Sequence, residues 1–149
     1  MRLRALREDE LPAVLQRQRT DYRTQLVEWA GLSDELADRK TAEDTAALPE
    51  GVELVALEAD DRRRVGTMFF AERRYYGEPR MFLYDLWVDP DERGRGYGRA
   101  AMEALEAEAR SRGLPVEFNV WGGNAVARSL YRTLDTRSVR CSWARMSEW

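Results

Sequence analysis

The chain has no histidine, one cysteine (Cys141) and one lysine (Lys40) among its 149 residues. A lone cysteine excludes an intrachain disulfide framework. Without histidine or a cysteine cluster, the usual ligand sets of a zinc site are missing, so no metal is expected. Catalysis, if there is any, falls to carboxylates, tyrosine, backbone amides or a bound cofactor. No apolar run approaches the length of a membrane span, and Met1-Arg2-Leu3-Arg4 lacks the apolar core of a signal peptide. A cytoplasmic protein with no membrane partner is expected. Positive charge is not in excess either: the net charge is −3, which argues against a nucleic-acid partner. Of the 24 basic residues 23 are arginine, a bias that base composition of the genome explains without a function. The 44% hydrophobic and 34% charged content fits one globular domain, 1–149, with a single substantial core.

Hydrophobic periodicity and turn residues order the elements. Arg2 to Leu6 alternates as a short strand. Asp9 is placed to cap a helix from about Leu11 to Trp29, with Leu11, Val14, Leu15 and Leu26 on its apolar face, and Gly31 ends it. Ser33 is placed to cap a second helix that stops near Pro49-Glu50-Gly51. Val52 to Ala59 and Val65 to Ala71 read as a hairpin about Asp60-Asp61, and Tyr76-Gly77-Glu78-Pro79 marks the next turn. A strand at Met81 to Val88, a glycine loop, a helix to about Arg112 and a strand at Val116 to Trp121 follow. Asn124 then heads a helix to about Leu134, and Thr136 to Met146 has strand character. Hairpins early and crossovers late predict an α/β domain with antiparallel pairing first and parallel pairing afterwards.

Arg93-Gly94-Arg95-Gly96-Tyr97-Gly98 lies between the apolar strand and the amphipathic helix. A glycine-rich turn that opens a helix presents unpaired backbone N–H groups and the positive end of the helix dipole, which suits a phosphate. A P-loop needs lysine and then serine or threonine after its second glycine, but Gly98 is followed by Arg99 and Ala100. A dinucleotide fingerprint begun at Gly94 needs its third glycine at position 99, which is Arg99. A tight strand-to-helix turn with no ligand remains the plain alternative.

From Arg93 onward the sequence resembles the GNAT superfamily of acyl-CoA-dependent N-acetyltransferases. The family's signature is Arg or Gln, two residues, Gly, one residue, then Gly or Ala, and Arg93, Gly96 and Gly98 match it. The resemblance continues through Asn119-Val120-Trp121-Gly122-Gly123-Asn124-Ala125-Val126-Ala127-Arg128-Ser129-Leu130-Tyr131, and extends over about Met81 to Leu134. It implies a mixed central sheet with antiparallel N-terminal strands, a splayed parallel central pair and helices on both faces. It implies acetyl-CoA, or another short acyl-CoA, as co-substrate. The pyrophosphate would lie on the N–H groups of Arg95 to Arg99, including Gly96, Tyr97 and Gly98, with Arg93, Arg95 and Arg99 adding charge. These arginines could equally be solvated surface. Pantetheine would run between Leu86-Trp87-Val88 and Phe118 to Val120, near Asn119, with Asn124 on the cofactor arm or simply capping its helix.

The resemblance also assigns chemistry. Acyl transfer to an amine requires a proton to leave the amine and another to reach the departing thiolate. Tyr131 matches the family tyrosine that reprotonates the thiolate, and a phenol of ordinary pKa, about 10, is protonated at neutral pH. Its alternative role is aromatic packing of helix on sheet. Asp85 stands in the middle of an apolar strand, where a charge is costly unless it is paired or faces a wet cleft. It is the candidate to bind the substrate ammonium or to act as base, with an arginine ion pair as the alternative. Glu117 is the second carboxylate. The acceptor pocket is expected from the first two helices and the Tyr75-Tyr76 hairpin, with Tyr22 and Glu28 as candidates and Trp29 left in the core.

The chain departs from the family after Tyr131. Asp135 and Thr136 stand where the family carries glycine and an aromatic, so Asp135 must end the helix. Thr136 to Trp149, rich in arginine and tryptophan, is a candidate subunit interface, with a homodimer the expected partner. The expected activity is acetyl transfer to a primary amine of a small molecule or peptide. A non-catalytic acyl-CoA-binding or regulatory module of the same fold is the alternative.

Overall fold

The computed structural model describes residues 1–121, 123–132 and 139–144, with the backbone alone for 120, 121 and 139–144. Its elements are β1 (Arg2–Ala5), α1 (Leu11–Glu28), α2 (Asp34–Asp44), β2 (Glu53–Glu58), β3 (Arg64–Tyr75), β4 (Glu78–Val88), α3 (Tyr97–Ser111), β5 (Val116–Trp121), α4 (Ala125–Tyr131) and β6 (Val139–Ala144). The six strands form one sheet in sequence order. Pairing is antiparallel from β1 to β4 and parallel from β4 to β6. No described helix is long and apolar enough to cross a membrane.

Several boundaries differ from the sequence expectations. The β3–β4 hairpin is longer than its apolar run because Tyr75 still pairs with Glu78. Its two-residue loop, Tyr76-Gly77, has φ of 50° and 82°, as a type I′ turn requires. Pro79 therefore lies inside β4 rather than in the turn. Glu10, not Asp9, occupies the N-cap of α1, and no side chain caps it. The Glu10 carboxylate instead accepts from Arg4 and from the backbone N–H of Arg7, pinning β1 to the start of α1. Ser33 does cap α2, accepting from Leu36 N–H. Asp135 and Thr136 fall outside the described residues, as do the ends of the arginine- and tryptophan-rich tail.

Two layers of helix sandwich the sheet. Val55, Leu57, Val65, Met68, Phe70, Met81, Leu83, Val116 and Phe118 pack with Ala101, Met102, Leu105 and Ala109 of α3 in one buried cluster. Those four residues fall at i, i+1, i+4 and i+8, so one apolar stripe of α3 faces the sheet. The intervening strand residues Ala56, Thr67, Phe69 and Ala71 are buried on the opposite face. There α1 lies across the sheet, and its Arg17 reaches down to Thr67.

Candidate active site

The parallel pair β4–β5 holds together only from Met81–Val116 to Leu83–Phe118. Beyond that point β4 stays on β3 through Val88, and β5 stays on β6 through Trp121. The two inner strands thus part company at mid-sheet, leaving backbone edges that a ligand's amides can complete. A bulge accompanies the split. Phe69 pairs with Asp85 but Phe70 with Leu83, so Tyr84 is an extra residue with no partner across the ladder. The bulge resets the alternation. Leu83 and Leu86 both face the α3 core, whereas Asp85 and Trp87 turn to the α1 face with Thr67.

A cleft of about 410 Å³ opens at this split. Because the strands separate, groups from both faces of the sheet reach it: Asp85 from the α1 side, Tyr131 and Asn124 from α4. The Tyr131 ring rests on Phe118, with centroids 4.1 Å apart, so the packing role and a place in the cleft wall coexist. Asn124 lines the cleft while its Oδ1 accepts from Ala127 N–H, as an N-cap does. The far wall is one face of α1, Gln18, Asp21, Tyr22 and Gln25, at i, i+3, i+4 and i+7.

Asp85 is largely but not fully buried and forms an ion pair with Arg17 (Nη2 to Oδ2, 2.9 Å). The same Nη2 donates to Thr67 Oγ1, and the guanidinium lies 4.6 Å from the Trp87 ring centroid. Burial pushes the Asp85 carboxyl above its ordinary range; Arg17 opposes that rise and the nearby Asp21 charge adds to it. The arginine pair foreseen as the alternative for Asp85 is therefore present, inside the cleft rather than instead of it.

The glycine loop has the form of an anion cradle. Gly94 and Gly96 have φ of 74° and 84°, values that favour glycine, and Gly96 is the N-cap of α3. No side chain caps that terminus, unlike those of α2 and α4. Gly98 serves a different purpose from ligand approach. A Cβ there would lie 3.2 Å from Leu130 Cδ2, so its absence lets α4 close on α3. Of the three arginines, Arg93 donates to the Val88 carbonyl and stacks on Trp87, and Arg95 pairs with Glu92. Arg99 is exposed with no partner among the described residues, which leaves it the freest for a phosphate.

Other expected residues lie elsewhere. Glu117 is not in the cleft wall; the buried Arg80 guanidinium needs a counter-charge and holds it. Tyr75 and Tyr76 are exposed at the hairpin tip, carried away by the extra length of β3 and β4. Glu28, Trp87 and Val88 do not line the cleft, whereas Leu86 and Asn119 do. Tyr22 lines it, but its hydroxyl donates to Asp44 of α2, and burial with that bond pushes its pKa up. Trp29, expected in the core, is half-buried and lies against the β5–α4 loop: a Cβ on Gly123 would sit 2.8 Å from its Cδ1. Asp21, Gln18 and Gln25 went unnoticed in the sequence, although a polar stripe on the sheet-facing side of a long helix was the available signal.

A split parallel pair, a bulged central strand and an uncapped glycine turn together place the chain in the acetyltransferase class of α/β folds. Residues 8–135 match the model of the acetyltransferase (GNAT) family. The chain belongs to that family. It is 31% identical over 93 residues to an uncharacterized N-acetyltransferase of Bacillus subtilis, YycN, a match spanning 58% of this chain and 60% of that protein. The crystal structure of YycN superposes with a TM-score of 0.80 at 24% identity, covering 97% of this chain and 98% of the other. An aminoglycoside 6'-N-acetyltransferase from Acinetobacter haemolyticus shares the fold at a TM-score of 0.55 and 15% identity, covering 97% of each chain.

Proposed function

We propose that the protein transfers the acetyl group of acetyl-CoA to a primary amine of a small molecule or peptide, by direct attack of the amine on the thioester. The observation that carries this reading is the parting of β4 and β5 after Leu83–Phe118, with a carboxylate and a phenol lining the cleft it opens. The residues present fit the co-substrate. The uncapped start of α3 and Arg99 would hold its phosphates, and the free edges of β4 and β5 would take the amides of its arm. When bound, it supplies an activated acyl carbon.

In the transfer a C–N bond forms, the C–S bond breaks, one proton leaves the amine and one reaches the sulfur. Asp85 takes the amine proton, directly or through water. A buried carboxyl of raised pKa is a better proton acceptor than a surface aspartate, and Arg17 keeps it oriented. Tyr131 gives a proton to the sulfur. The presence of both groups in one cleft favours an enzyme over a binding module.

Calorimetry with acetyl-CoA, followed by CoA release across an amine panel, tests the reading. Acetyl-CoA should bind, Gly96→Glu should abolish that binding, and Asp85→Asn and Tyr131→Phe should each slow turnover about 100-fold or more. Failure of acetyl-CoA to bind overturns the reading. Tight binding without turnover supports the non-catalytic module.

A further inference from the structure

We propose that the acceptor is an amine carrying a second cationic group, and that Asp21 holds that group while Asp85 serves the reacting nitrogen. This rests on the acetyltransferase reading and adds the substrate class. Among the described residues, the cleft wall contains two carboxylates, Asp21 and Asp85, and no arginine or lysine. Their charges are met differently. Asp85 has Arg17 at 2.9 Å. Asp21 has no cation among the described residues, and its one bond is from the neutral Gln25 amide, Nε2 to Oδ2 at 2.7 Å.

Helix geometry makes the contrast sharper. Arg17 is four residues before Asp21, the spacing at which such pairs commonly form on a helix. Arg17 is instead drawn to Asp85 and Thr67 beneath it. Asp21 is thus left facing the cleft with an uncompensated charge, close enough to Asp85 for its field to oppose ionisation there. Once substrate fills the cleft and excludes water, an unpaired carboxylate is costly.

The reacting amine cannot supply the missing charge, because it attacks only as the neutral base. A second ammonium or guanidinium on the same molecule can. Tyr22, Phe82, Tyr84 and Tyr131 also line the cleft and suit the alkyl span between the two groups.

The test compares 1,4-diaminobutane with 1-aminobutane, which has the same reacting amine without the second charge. Binding of each to the full chain is measured by calorimetry with and without saturating CoA, for the wild type and Asp21→Asn. The diamine is expected to bind at least about tenfold more tightly than the monoamine, a preference that Asp21→Asn removes while leaving acetyl-CoA affinity and the unfolding midpoint unchanged. Tyr22→Phe, which alters the same helix face without touching its charge, should keep the preference. Equal binding of the two amines to the wild type, no binding of either, or a preference that survives in Asp21→Asn overturns the proposal. Charge-selective binding without acetylation of either amine leaves the Asp21 assignment standing and overturns the catalytic reading alone.

Discussion

Arg17 and Asp85 are the joint between α1, which walls the cleft, and the sheet, and their pairing has a measurable size. The side chains retain only 19% and 13% of their exposure, and the contact is 2.9 Å. Removing one partner of so buried a pair leaves a charge without compensation, which typically costs roughly 3–5 kcal/mol. Arg17 also loses its bond to Thr67 and its contact with Trp87. Arg17→Met should therefore cost about 3 kcal/mol and lower the unfolding midpoint by about 6–12 °C. The double variant Arg17→Met/Asp85→Asn removes both charges and should be more stable than the two single losses added, by about 2 kcal/mol.

The pH dependence gives an independent sign. Burial raises the folded-state pKa of Asp85 above its unfolded value. The protonated form is thus favoured by folding, and the group's contribution is fully present below the unfolded pKa and lost as pH rises through the folded one. Without Arg17 the folded pKa rises further. The deficit of Arg17→Met should then be smaller at about pH 5 than at about pH 8, in urea titrations at constant ionic strength. Its kcat/KM should also acquire an acid limb displaced to higher pH. A deficit below about 1 kcal/mol, no pH dependence, or an additive cycle would refute the buried-pair account.

Three further outcomes are expected. Arg4 and the Arg7 N–H depress the Glu10 pKa to about 2, so its contribution is present above the ordinary carboxylate range and lost as pH falls toward that value. Glu10→Gln should cost about 1–2 kcal/mol at neutral pH, discounted for solvent screening, and flatten acid unfolding between about pH 5 and 2. Gly98→Val should force Leu130 away, costing about 1–3 kcal/mol in denaturant titrations and weakening acetyl-CoA binding. Gly123→Ala should force the Trp29 indole to shift, costing about 1–3 kcal/mol in denaturant titrations.

The order of elements was legible because periodicity and turn residues are local. Val116–Trp121 as a strand, Ser33 and Asn124 as caps, and the glycine turn before α3 all follow from residues within one turn of each other. The expectation for Asp9 failed because Glu10 is recruited by Arg4, a residue on a different element. The hairpin ran further than its apolar residues because backbone pairing continues beyond the buried part.

By itself, the sequence determined the glycine turn: Gly94 and Gly96 can take left-handed φ where a side chain would be strained, and they open a helix whose N–H groups point outward. The cleft wall was decided only by tertiary structure. Simple alternation along β4 would put Leu83 and Asp85 on the same face. The bulge at Tyr84 puts them on opposite faces, and a bulge is set by pairing with β3, not by β4's own residues. Asp21 became part of the wall, and Glu117 did not, for the same kind of reason. Each side chain goes where the nearest buried partner or open cleft lies, and that distance does not exist until the sheet has formed.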